Sequence, residues 1–106
     1  MNQMCLRLFG REGERHRGRV LHDFLLGLAR ECGAGGVTVL RASAGYGRHG
    51  LHEESFFELG GELPVVVETV LEDAQARRLL ARCSEEGLRL FYTLSPVETG
   101  MTGVPS

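Results

Sequence analysis

An α+β sandwich in the order βαββαβ, with two helices on one face of a four-stranded antiparallel sheet, is the fold class this sequence predicts. Three observations lead to it. Four segments, at 4–9, 37–44, 63–71 and 88–94, are alternating or β-branched and read as strands. Apolar residues recur at helical spacing between the first two strands and again between the last two. The two middle strands are joined by a glycine- and charge-rich stretch with no helical period, so they follow one another directly.

The first strand alternates Met4, Leu6 and Leu8 with Cys5, Arg7 and Phe9, and Gly10 to Gly18 follows as a polar, charged loop. From Arg19 to Cys32, Val20, Leu21, Phe24, Leu25, Leu28 and Cys32 share a helical face, and Gly33, Gly35 and Gly36 end the run. Val37 to Ala44 is the second strand, broken by glycines at 45, 47 and 50. Leu63 to Leu71 holds Val65, Val66, Val67 and Val70 in a nearly continuous apolar run, the pattern of a strand buried on both faces, with Pro64 at its entrance. Asp73 is placed to cap a second helix with Ala76, Leu79, Leu80 and Cys83 inward and Arg77, Arg78 and Arg82 outward; Gly87 ends it. Leu88 to Leu94 completes the ferredoxin-like order, and the Gly-, Thr- and Pro-rich tail at 97–106 reads as a mobile end.

A sheet with helices on one face leaves the other face bare. Apolar side chains there need a partner, and self-association into a ring supplies one while creating clefts between copies. With 106 residues the chain makes a single domain, so function is expected on its surface or between copies. The formal charge of −2 comes from 12 basic and 14 acidic residues with no basic stripe, which argues against a nucleic-acid partner. Every basic residue other than histidine is Arg, so lysine Schiff-base chemistry and a P-loop lysine are excluded. Cys5, Cys32 and Cys83 form no C-x-x-C pair and read as buried thiols of a reducing, cytoplasmic compartment; the N-terminus has no charged leader followed by an apolar span.

The most unusual stretch is Gly45-Tyr46-Gly47-Arg48-His49-Gly50-Leu51-His52-Glu53, just past a strand end. Glycines let backbone N–H groups approach an anion, Arg48 offers a bidentate charge-assisted contact and His49 a further donor, a set suited to phosphate. On the residues alone, a glycine-rich turn with solvated charges is the competing reading.

Gly45-Tyr46-Gly47-Arg48 with His52-Glu53 resembles the G-[FY]-G-R opening of the T-loop in PII signalling proteins, and Leu63-Pro64-Val65-Val66-Val67-Glu68 resembles the strand after it. Similarity is closer to the PII-like family known as a domain of unknown function, through Gly33 to Arg41, Gly45 to Gly47, His52, and Leu63 to Glu68, over roughly residues 4–98. That resemblance implies a homotrimer that binds an adenine nucleotide (AMP, ADP or ATP) between subunits and has no obligatory cofactor. It further implies that Gly45, Tyr46, Gly47, Arg48 and His49 line the phosphate site, and that a T-loop at 45–62 is presented to a partner such as a membrane ion transporter, with a small anion as a co-effector. Two departures stand out. The lysine-bearing loop before the last strand is reduced to Glu85-Glu86-Gly87-Leu88-Arg89, where Arg89 takes the place of the lysine, and the basic C-terminal segment is missing. The T-loop is also short and lacks the tyrosine that some PII proteins uridylylate.

The rival reading is a metal-binding protein, since the trimeric CutA proteins share this fold and His49, His52 and Glu53 cluster in sequence. They offer three ligands with no fourth in sight. His16, in the charged loop, and His22, on the first helix, read as solvated or helix-packing residues. Hydroxyls and carboxylates are scattered, which argues against an enzyme; Glu53, Glu54 and Glu58 read as solvated. Phe56 and Phe57 suit docking on a protein partner or packing against the sheet.

Overall fold

The computed structural model describes residues 2–44 and 63–105. Strand β1 is Gln3–Arg11, β2 Arg15–His16, β3 Arg19–Val20, β4 Val37–Arg41, β5 Pro64–Glu72 and β6 Phe91–Pro96; helix α1 is Leu21–Glu31 and α2 Asp73–Glu85. The main sheet has the order β4-β5-β1-β6 with every neighbouring pair antiparallel. Both βαβ halves of the expected arrangement are therefore present.

Period-2 alternation in β1 and β5 decides which side is buried. Leu6 and Leu8 from β1, with Val67 and Leu71 from β5, meet Leu21, Leu25, Leu28 and Ala29 of α1 and Ala76, Leu79 and Cys83 of α2 in one core. Gly10 lets α1 sit this close, since a Cβ there would lie 2.8 Å from Leu21 Cδ2. At the far end of α1, Gly33 turns the chain at φ +93°, and its carbonyl accepts a hydrogen bond from Gln75 Nε2 at 3.3 Å.

Four local expectations are corrected. The stretch 10–18 is not simply a loop: β1 runs on to Arg11, and β2 and β3 form a hairpin around Arg17 and Gly18, which both have positive φ (55° and 75°). The cap of α2 is Glu72 and not Asp73; Glu72 N donates to Gln75 Oε1 at 2.9 Å, and Asp73 lies in the first turn, where its charge complements the helix dipole. The last strand starts at Phe91, because Leu88 and Leu90 pack against the core before the ladder with β1 begins at Phe9. β5 is not buried on both faces within one chain: Val65, Val67, Thr69 and Leu71 are covered, whereas Val66, Glu68 and Val70 lie on the bare side.

That bare side has its own order. Leu40, Val66, Phe9 and Phe91 form one row across the four strands, with the Phe9 and Phe91 rings 5.5 Å apart. The next row is Thr38, Glu68, Arg7 and Thr93, where Arg7 Nε donates to Glu68 Oε2 at 2.7 Å.

Candidate functional site

The segment 45–62 leaves β4 and re-enters β5 at one end of the sheet. Three contacts hold that stem. Ala42 N donates to Pro64 O and Glu12 N to Leu63 O, each at 2.9 Å, while Arg41 Nε lies 2.7 Å from Glu12 Oε2. The end of β1 thus ties the two ends of the segment together, and the backbone of 12–14 is braced in turn by Leu21 N donating to Glu14 O at 2.8 Å. Sequence reasoning missed Glu12 and Arg41, since an ion pair between residues so far apart leaves no local pattern.

Gly45, Tyr46, Gly47, Arg48 and His49, together with His52, Glu53, Phe56 and Phe57, lie outside the described residues. Arg89 lies within them. It is exposed, between half-buried Leu88 and Leu90, and leads into β6 at the end of the sheet where Phe91 pairs with Phe9. This is the end at which Arg41 pairs with Val65 and Arg11 with Pro64, hence the end from which 45–62 departs. Within one chain, however, β5 and β1 stand between the two edges. Three strand spacings put the β4 end of the stem on the order of 14 Å from the strand that follows Arg89.

The turn before Arg89 is fastened to the hairpin. His16 Nε2 lies 3.0 Å from Glu86 Oε1, and Arg17 Nε donates to the same oxygen at 2.8 Å. The His16 hydrogen bond first, then the Arg17 charge, hold the Glu86 carboxyl below its ordinary range. The His16 ring also meets the Phe24 ring of α1 edge-on at 4.6 Å, so of the two expectations for this histidine it is helix packing that the structure shows. Gly18, two residues past His16, is the only sequence signal for the turn that aims it.

Cys32 and Cys83 are buried, as expected, but Cys5 is only half-buried and lies on the bare face, its Sγ 3.7 Å from Glu68 Oε2. Burial pushes the Cys83 thiol up to about 11, and burial with the Glu68 charge raises Cys5, so both stay protonated near neutrality. Among the described residues no three His, Cys, Asp or Glu side chains come together in a way that could hold a metal ion. Nor is any described helix long and apolar enough to cross a membrane.

The profile of the DUF190 family, described as an uncharacterized ACR, matches residues 3–99. A UPF0166 protein of Aquifex aeolicus is 41% identical over 81 residues, covering 76% of this chain and 77% of its own length. A second, from Methanocaldococcus jannaschii, is 30% identical over 80 residues, covering 76% and 74%. Among solved structures, CPII of Thiomonas intermedia bound to ADP, AMP and acetate superposes with a TM-score of 0.67 at 14% identity, covering 93% of this chain and 89% of that one. A putative PII-like signaling protein of Thermus thermophilus gives 0.60 at 19% identity, covering 92% and 91%. The resemblance read from Gly33–Arg41 and Leu63–Glu68 holds over nearly the whole length: this chain belongs to the DUF190 family, and its fold is that of the PII-like proteins.

Proposed function

We propose that this protein is a cytoplasmic PII-like regulator that forms a ring of three copies and binds an adenine nucleotide in the clefts between them. The carrying observation is the placement of Arg89. It lies at the end of the sheet from which 45–62 departs but on the opposite edge, and in a ring that sets the β4 edge of one copy beside the β6 edge of the next the two would face each other across a cleft. In that cleft the backbone of Gly45 and Gly47 with Arg48 and His49 would take the phosphates, Tyr46 would line the site, and Arg89 of the next copy would close it. The CPII structures support the ligand class, since they hold ADP and AMP, with acetate in one and bicarbonate in another. Those two small anions make an anionic co-effector the natural second signal.

Nucleotide at the base of 45–62 would favour one arrangement of that segment, and a partner reading Phe56 and Phe57 would respond to the shift in population. The partner class we infer is a membrane ion transporter. Calorimetric titration of the protein with AMP, ADP, ATP and cyclic AMP, and separately with Cu²⁺ and Zn²⁺, tests the reading. Saturable nucleotide binding, weakened at least tenfold by Arg48→Ala and by Arg89→Ala, is the expected result. Metal binding without nucleotide binding would overturn it in favour of the metal site at His49, His52 and Glu53.

A further inference from the structure

We propose that the β2–β3 hairpin is a positioning device for Arg89, acting through His16 and Arg17 on the Glu86 carboxylate, so that these three residues set nucleotide affinity through Arg89. The role rests on the nucleotide cleft proposed for this protein. Arg89 is exposed and makes no hydrogen bond or ion pair with another described residue. Its side chain is thus free for a ligand, and what has to be fixed is the backbone that carries it.

The turn before it does so. Gly87, at φ +77°, donates its N–H to Ser84 O at 2.9 Å, and Leu88 N donates to Cys83 O at 3.0 Å, which closes the end of α2 in a Schellman arrangement. Leu88 and Leu90 pack against the core on either side of Arg89. Among the described residues, Glu86 supplies the side-chain hydrogen bonds of this turn, and both run to the hairpin.

That hairpin is a held platform. Arg15 Nη2 donates to Gly18 O at 2.9 Å across its turn, and the His16 ring lies against Phe24 of α1. Through Glu12 and Glu14 the same stretch is tied to the stem of 45–62 and to the start of α1. Arg17 sits at φ 55°, where a residue with a Cβ is strained and glycine or asparagine is not. What an arginine brings to this position is its side chain, whose Nε donates to Glu86 Oε1 at 2.8 Å. Arg17 is 69% exposed, and an ion pair in that setting adds little to overall stability. Its effect falls on the local order of the turn.

Charge gives the test its sign. Taking a carboxylate away from the neighbourhood of a phosphate site should by itself tighten anion binding, whereas losing the tie that positions Arg89 should weaken it. Calorimetric titration with AMP, ADP and ATP is therefore run on the unaltered protein, Glu86→Ala, Arg89→Ala and the double variant. Alanine fits the backbone of residue 86, at φ −79° and ψ −2°, and the backbone bonds of the turn remain, so the fold should be kept. Glu86→Ala should weaken binding about fivefold in the unaltered background and less than about twofold in the Arg89→Ala background. Arg17→Ala, a change at an exposed side chain, should show the same dependence on Arg89 and serves should Glu86→Ala fail to fold. Tighter binding by Glu86→Ala, or equal losses in both backgrounds, overturns the positioning role and leaves the nucleotide cleft standing. Arg89→Ala that binds as the unaltered protein does overturns it as well. If none of the three nucleotides binds the unaltered protein, the cleft and the positioning role fall together.

Discussion

The two faces of the main sheet are built from the same strands and differ in what covers them. On one, Leu6, Leu8, Val67 and Leu71 are sealed by two helices and are at most 3% exposed. On the other, Leu40 and Phe91 remain 47% and 46% exposed, and an Arg7–Glu68 ion pair sits in the row beside them. Apolar content alone does not separate the faces, since β5 carries valines on both. What separates them is that, among the described residues, both helices lie on one side. The sealed face accounts for the fold of a single copy, and the bare face is the one that the proposed ring would cover.

Leu6→Ala should break the sealed face outright. Leu6 is fully buried, so the change leaves a cavity worth about 3 kcal/mol and should lower the thermal midpoint by roughly 10–20 °C at every protein concentration. Phe9, three residues along the same strand, should behave differently. Phe9→Ser paired with Phe91→Ser removes the ring contact from the bare face and should shift the midpoint in a concentration-dependent way, because the loss falls on association. Equal, concentration-independent losses from both experiments would mean that the bare face has no partner and that the comparison is wrong.

A smaller effect tests the buried polar side chain of the sealed face. Thr69 is 2% exposed, and its hydroxyl donates to Gly36 O at 2.6 Å, tying the loop before β4 to β5. Thr69→Val keeps the shape and removes the donor. A loss of about 1–2 kcal/mol in denaturant unfolding is expected, with Thr69→Ser recovering part of it. A neutral Thr69→Val would show that the Gly36 carbonyl is satisfied by water.

How much of this was legible beforehand follows from the range over which each signal acts. Strands and helices announced themselves through period 2 and period 3.6, which are local, and the bare face followed from counting helices. Element ends were less legible. Leu88 and Leu90 alternate as a strand would, yet their partner β1 is matched only from Phe9 onward. Arg17 at φ 55° fills a turn position where Asn or Asp gives the recognisable signal, so the hairpin read as a loop. Of the candidate site, the stretch 45–49 that we propose for phosphate was visible as composition, while the Arg41–Glu12 stem and the separation of Arg89 from the β4 edge exist only once the strand order is known.

The smallest expected effect lies outside both faces, where the hairpin meets the turn before Arg89. Glu86 accepts from His16 and Arg17, and its carboxyl is held below the ordinary 4.5. A group with a lowered folded-state pKa contributes stability in full above its unfolded value and loses it as pH falls through the folded one. Glu86→Gln should therefore cost a little stability near neutrality, and the difference from the unaltered protein should shrink as pH falls below about 4.5. His16→Gln made in addition should add less than it does alone, because both changes cut the same contact. A difference that stays constant between pH 7 and pH 3 would mean that the hairpin is held by the His16–Phe24 ring contact and not by charge. The turn leading to Arg89 would then owe its position to packing, as the sealed face does.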